Sequence, residues 1–396
     1  MNSIEFLSKR WLVTPIVVAT WLAAGAQAGT KGGGKPGFDP RFVKHILTSD
    51  FISEGVAVAD VNRDGKLDIV AGAWWFEAPN WTRHQLAPAK HYDPSTQFSN
   101  SFLDFCMDVN QDGWMDLIRI SLPGEEVVWY ENPKNKPGFW VMHPILEHAG
   151  NESPALVDVD GDGRPDLLCN DWVAKEMIWM ESPKRPGDTS WTRHVIGKGE
   201  IGTGRYTHGL GFIDMNGDGR KDVVITKGWW ECPKDPGAAG EWVFHPANLG
   251  EDCSQMYALD VKNNGGQELV SASAHNYGIW WHEKKDTGWA HHLIYNGFSE
   301  THALALADVN GDGHPDLVTG KRYYAHNGED PGGHEPAVLY WFEFIPGPDP
   351  KWIPHQIDDD SGVGLQVLVQ DIDGDGLPDI IVANKKGVFL FEQKKL

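Results

Sequence analysis

The chain has 396 residues, 41% of them hydrophobic and 23% charged, with 45 Gly and 25 Pro. That is ample apolar material for a large packed core, and the Gly and Pro load points to many turns rather than long helices. The formal net charge is −22, and no basic stripe exists to neutralise phosphates, which excludes a nucleic-acid partner.

At the N-terminus, Lys9 and Arg10 precede an apolar run, WLVTPIVVATWLAAGA, and Ala26-Gln27-Ala28 offers a small-x-small cleavage site. This layout predicts a signal peptide over residues 1–28 and a secreted or periplasmic protein. The other reading is an uncleaved anchor. No later stretch is long enough to span a bilayer. Residues 29–40, opening GTKGGGKPG, read as a flexible linker. Cys106, Cys169, Cys232 and Cys253 are too scattered for a disulfide framework or a zinc cluster. Either a single Cys232–Cys253 bridge or buried free thiols fit them.

From residue 41 onward one unit repeats. DVNRDGKLD begins at Asp60, DVNQDGWMD at Asp108, DVDGDGRPD at Asp158 and DMNGDGRKD at Asp214. A worn copy, DVKNNGGQE, begins at Asp260, followed by DVNGDGHPD at Asp308 and DIDGDGLPD at Asp371. The spacings are 48, 50, 56, 46, 48 and 63 residues, a period that means a propeller or solenoid. After each loop comes an apolar-aromatic-Glu strand ending at Glu77, Glu131, Glu181, Glu231, Glu283, Glu343 or Glu392. Then comes an aromatic-x-x-His strand ending at His84, His143, His194, His245, His292 or His355. The last repeat lacks that strand, and its missing copy, Phe42 to His45, sits at the front.

Period-2 alternation gives four short strands per repeat and no helical stripe. The prediction is an all-β, seven-bladed β-propeller over residues 41–396, its ring closed by the N-terminal strand pairing with the last blade. The repeated Trp and His are expected to be packing between and within blades.

D-x-[DN]-x-D-G-x-x-D offers side-chain oxygens at positions 1, 3, 5 and 9 and a Gly for the turn, a set suited to Ca²⁺. Carboxylates packed this closely repel unless a cation sits among them. Six loops keep the full set. In order they are Asp60, Asn62, Asp64, Asp68; Asp108, Asn110, Asp112, Asp116; and Asp158, Asp160, Asp162, Asp166. Then come Asp214, Asn216, Asp218, Asp222; Asp308, Asn310, Asp312, Asp316; and Asp371, Asp373, Asp375, Asp379. In the fifth loop the ammonium of Lys262 is expected to stand in for the ion. The carboxylates of the seven loops equal in number the net charge of −22, so the acidity signals calcium rather than a basic partner.

At these loops the chain resembles the FG-GAP/VCBS repeat family, the calcium-loop propellers of integrin heads, exported bacterial proteins, lectins and sugar lyases. The resemblance covers about residues 41–396. It implies a calcium-stabilised propeller and no single activity.

The opposite face gathers the long insertions: GKRYYAHNGEDPGGHEPA in blade 6, PAKHYDPSTQFSN before blade 2 and GKGEIGTGRYTHG before blade 4. Long loops on one side of a rigid scaffold are where function usually sits. Six residues before each acidic loop stand Glu54, Phe102, Glu152, His208, Ser254, His302 and Leu365. Glu54, Glu152, His208 and His302 would converge on the axis as a site for Zn²⁺ or Mn²⁺. The alternative is a solvated polar channel mouth.

Around them Arg119, Asn170, Lys227, Tyr206 and His326 form a rim suited to a sugar, with Trp229, Trp74 and Trp172 for stacking. No G-x-S-x-G or H-E-x-x-H motif is present. The chemistry that fits is metal-assisted β-elimination on a keto-sugar or uronate. Lys321 and Arg322 would hold the anion, and Tyr323, Tyr277 or His275 would move protons. The arrangement is similar to that of the ulvan lyases and of the propeller part of aldos-2-ulose dehydratase, whose cupin domains have no counterpart here. Two alternatives stand beside a lyase: a carbohydrate-binding module without turnover, and an adhesion propeller with a protein partner.

Overall fold

The computed structural model describes residues 37–394 except Ala239. The expected signal peptide and most of the linker lie outside the described residues. Seven four-stranded antiparallel sheets are arranged as the blades of one propeller. Six are built from consecutive strands. The seventh takes Val367–Gln370, Asp379–Asn384 and Gly387–Lys394 and completes itself with Arg41–Thr48. The N-terminal strand pairs antiparallel with the last one, Arg41 opposite Lys394 and His45 opposite Leu390. No blade is left with a missing outer strand, and the ring closes as the strand count required.

The outer half of each blade explains the repeated aromatic-His signature. Trp75 stacks on His84 with centroids 4.2 Å apart, and His84 Nε2 lies 2.7 Å from Glu77. The same three-residue pillar recurs as Trp129–His143–Glu131, Trp179–His194–Glu181 and Trp229–His245–Glu231. Trp281–His292–Glu283 and Trp341–His355–Glu343 complete the set. In blade 7, Leu390 replaces the Trp and only the His45–Glu392 contact remains. Between blades, the side chain just after the repeated Glu reaches back to the preceding loop in blades 2 and 7. Asn132 Nδ2 donates to the Val61 carbonyl at 2.8 Å and Gln393 Nε2 to the Val309 carbonyl at 2.9 Å. The four cysteines are free thiols, three of them buried, so the Cys232–Cys253 bridge does not form.

In the acidic loops, Asp60 accepts the Asp64 and Gly65 amides, and Asn62 Oδ1 accepts Asp64 N–H. The last aspartate of each loop is buried and accepts two backbone amides, as Asp68 does from Val61 and Ala78. Burial pushes Asp116 and Asp166 up to about 8 and Asp316 to about 7. A buried carboxylate beside other carboxylates is what a bound cation relieves. Oxygens of Asp158, Asp160 and Asp166 lie within 4.8 Å of one another. The donor set therefore fits Ca²⁺. The fifth loop differs from expectation: the Lys262 ammonium reaches Glu283 at 2.5 Å, on the neighbouring strand, rather than occupying the loop.

Candidate functional site at the propeller axis

The loops leading into the inner strands bring Glu54, His208 and His302, and the start of the inner strand Ala149–Val157 brings Glu152, to the face opposite the acidic turns, and all four are buried. Their company differs from the expected metal set. The Arg322 guanidinium enters between the two carboxylates, with Nη2 2.6 Å from Glu54 and Nη1 3.3 Å from Glu152. Glu54 also accepts the Ser99 amide at 3.1 Å. Phe98 and Phe102 cover the guanidinium, with centroids 5.5 and 5.3 Å away. Glu54 is thus committed to Arg322.

Four imidazoles form the centre instead. His275 lies 4.5 Å from His208, 4.6 Å from His326 and 5.8 Å from His302, centroid to centroid. His302 is 5.8 Å from His208 and 5.6 Å from His326. Candidate ligand atoms of His275, His302 and His326 lie within 4.8 Å of one another, and so do those of Glu152, His208 and His302.

Every ring has its Nδ1 engaged by an oxygen: His208 by the Tyr206 carbonyl at 3.0 Å and His302 by the Glu300 carbonyl at 3.1 Å. His275 and His326 share Asp330 Oδ2, at 3.1 and 2.6 Å. With Nδ1–H donating, each neutral ring keeps a lone pair on Nε2. The Nε2 atoms of His208 and His302 are buried without a hydrogen-bond partner, Glu152 lying 3.4 Å from the former.

Backbone strain accompanies one of these rings. His326 sits in the left-handed region (φ 47) between Tyr324 (φ 56) and Asn327 (φ 56), within the 3-10 helix segment of the blade 6 insertion. Non-glycine residues held there cost about 1–3 kcal/mol each, a cost that clusters at functional sites.

Electrostatics favour the neutral form of two of the rings. Burial, reinforced by Arg322, pulls His302 well below the usual histidine range and lowers His326. Burial also opposes charge on His208, but Glu152 outweighs it and the net shift is upward. Burial would raise Glu152, yet His208 and Arg322 draw it below the carboxylate range.

The remaining expected site residues divide. Lys321 is 0% exposed, its ammonium bonded to Glu300 at 2.7 Å and Ser299 at 2.9 Å. Lys321 and Arg322 are therefore neutralised by carboxylates of the chain itself, which corrects their expected role as anion holders. Trp229 belongs to the Trp–His–Glu pillar of blade 4 and not to a sugar platform.

Asn170 is buried and ties the loop before blade 4, donating to Gly202 and Gly204 carbonyls. Arg119 is buried over the Tyr130 ring at 4.9 Å. Lys227 and Tyr206 are exposed. The Tyr277 hydroxyl donates to Glu335 at 2.7 Å, and Tyr323 packs under the Lys386 ammonium at 4.4 Å. Asp330 and Glu335 escaped sequence reasoning because they lie inside the blade 6 insertion, where no repeat marks a position. The length of that insertion was the one signal.

Among known proteins, the FG-GAP-like repeat model matches residues 108–169 and 260–319. These two segments resemble FG-GAP-like repeats, and each lies within the seven-bladed β-propeller. Human integrin alpha-7 is 37% identical over 89 residues, a match spanning 22% of this chain and 7% of the integrin.

Among solved structures, an Agrocybe aegerita lectin recognising non-reducing terminal N-acetylglucosamine is 16% identical with a TM-score of 0.47. That alignment covers 78% of this chain and 81% of the lectin. A rhamnogalacturonan lyase is 11% identical with a TM-score of 0.46, covering 91% of this chain and 74% of the lyase. No helix among the described residues is long and apolar enough to cross a membrane.

Proposed function

We propose that this protein is an exported, calcium-stabilised propeller enzyme. It is a carbon–oxygen lyase or dehydratase acting on a sugar that bears a carbonyl or carboxylate, with a divalent metal ion at the imidazole cluster. The observation that carries this reading is the hydrogen bonding of His208, His275, His302 and His326. Each Nδ1 has an oxygen partner, the buried Nε2 of His302 has none, and that of His208 faces only the Glu152 carboxylate at 3.4 Å. An unpaired buried polar atom costs about 1–3 kcal/mol, which a bound ion would offset. The nitrogen-rich donor set suits Zn²⁺ or Mn²⁺. When bound, such an ion supplies a Lewis acid for the negative charge developing beside the carbonyl or carboxylate.

The chain's own residues do the rest. Asp330 orients His275 and His326 through one shared oxygen. Arg322 pairs with both Glu54 and Glu152 and keeps them in place. The hydrogen bond to Glu335 raises the Tyr277 phenol above its ordinary range, so it stays protonated at neutral pH. In the proposed elimination the α-proton passes to the Glu335 carboxylate and Tyr277 protonates the leaving oxygen. The proton on Glu335 then restores the phenol.

The test is elemental analysis of the dialysed protein beside an assay for an ultraviolet-absorbing enone from keto-sugars and uronate polymers. Calcium near one per complete loop, plus about one transition metal that a His208→Ala/His302→Ala double variant loses together with turnover, is the expected result. Turnover that survives in that variant sinks the assignment. Glycan binding without turnover would make the protein a carbohydrate-binding module.

A further inference from the structure

Several basic groups on this face are spent on carboxylates of the chain, whereas Lys385, Arg119 and Arg205 have no ion pair among the described residues; Lys385 and Arg119 are buried, and Arg205 is the partly exposed one. Lys321 is paired with Glu300, Arg322 with Glu54 and Glu152, and Arg193 with Asp171 and Glu176. Arg205, in the loop leading into blade 4, has no ion pair with a carboxylate among the described residues. Its guanidinium lies 5.7 Å from the Trp172 ring and 5.0 Å from the Tyr206 ring. Its Nε donates to the Pro123 carbonyl at 2.6 Å, which leaves both Nη groups for another acceptor.

The position is built rather than incidental. A side chain at Gly124 (φ +93) would place its Cβ 2.2 Å from Arg205 Nε, so only glycine leaves the slot open. The loop is further pinned from blade 3: Asn151 N–H donates to the Arg205 carbonyl at 3.0 Å and Glu152 N–H to the Thr207 carbonyl at 2.9 Å.

This slot is continuous with the imidazole cluster. Arg205, Tyr206, Thr207 and His208 are consecutive, and the Tyr206 carbonyl holds His208 Nδ1. Three chain steps keep the Arg205 and His208 backbones within about 11 Å of each other, so one short loop carries both the cation and a ring of the imidazole cluster. Tyr206 is 53% exposed and offers an open aromatic face beside the cation. An immobilised guanidinium next to exposed aromatic surface recognises a carboxylate or sulfate on a pyranose ring.

We infer that Arg205, with Trp172 and Tyr206, forms a subsite for an acidic sugar unit next to the one that reacts. The substrate is therefore an anionic oligosaccharide or polysaccharide rather than a free keto-monosaccharide. This rests on the lyase reading for the identity of the reacting unit, but its test does not need turnover.

Titration calorimetry with a galacturonate tetrasaccharide, monomeric galacturonate and a neutral tetrasaccharide measures it directly, in wild type, Arg205→Met and Tyr206→Ala. The acidic tetrasaccharide is expected to bind wild type at least about tenfold more tightly than either other sugar. Arg205→Met should abolish most of that gain and Tyr206→Ala part of it, with monomer affinity unchanged. Equal binding of monomer and tetrasaccharide, no binding of the acidic tetrasaccharide, or full affinity in Arg205→Met overturns the subsite. Tight tetrasaccharide binding by a wild-type protein that releases no enone leaves the subsite standing and removes the lyase.

Discussion

Replacing Lys321 by Met separates a ligand-binding role from a structural one. The Lys321 and Glu300 side chains are both 0% exposed, joined at 2.7 Å, with Ser299 Oγ as the second acceptor for the ammonium. Methionine is unbranched and fills the stem's space, so the cavity cost is small. What remains is a buried carboxylate without its cation, and removing one partner of a buried pair costs about 3–5 kcal/mol. Burial already raises Glu300 above its ordinary value with Lys321 present. In the variant the carboxyl is therefore expected to protonate on folding, which makes the loss larger at high pH.

Urea unfolding of wild type, Lys321→Met, Glu300→Gln and the double variant, at about pH 8 and about pH 5, reads out both points. Lys321→Met should lose about 3–5 kcal/mol near pH 8 and less near pH 5, and the double variant should regain a large part of it. Unchanged stability together with lost substrate affinity would refute this reasoning and return Lys321 to the role its sequence position suggested.

Calcium removal should make stability pH-dependent. Burial lifts the folded-state values of Asp116, Asp166 and Asp316 to about 8, 8 and 7 from an ordinary 3.8. Their contribution is full below the unfolded value and is lost as pH rises through the folded ones. The calcium-free protein should thus melt progressively lower between mildly acidic and mildly alkaline pH, with added calcium reversing most of the drop; a flat or rising profile contradicts it. Asp330→Asn alters the shared partner of His275 and His326 and should weaken transition-metal binding by about 10–100-fold with little change in unfolding midpoint. Ala at His194 removes a stack on Trp179 and a bond to Glu181. It should cost about 1–2 kcal/mol of stability and leave metal content untouched, and a change in metal content would break the division between pillar and site.

What the sequence determined by itself was everything that repeats. Seven acidic loops in phase with Glu and His strands specified the blade count. The orphaned copy at Phe42 to His45 specified closure, because a strand missing at one end and present at the other has one geometric solution. Glu54, Glu152, His208 and His302 were legible as inward-facing because they hold one phase of that repeat.

Pairing among side chains from different blades was not legible. Arg322 and Glu54 are 268 residues apart in the chain, and nothing local to either says that the guanidinium, not a metal, would take that carboxylate. The same holds for His275 and His326, read as a proton carrier and a rim residue until the blade 6 insertion, through Asp330, turned both rings to the axis. Periodicity encodes where a backbone goes. Which charges neutralise each other, and which nitrogens are left over, is settled only when distant strands meet at the centre of the ring.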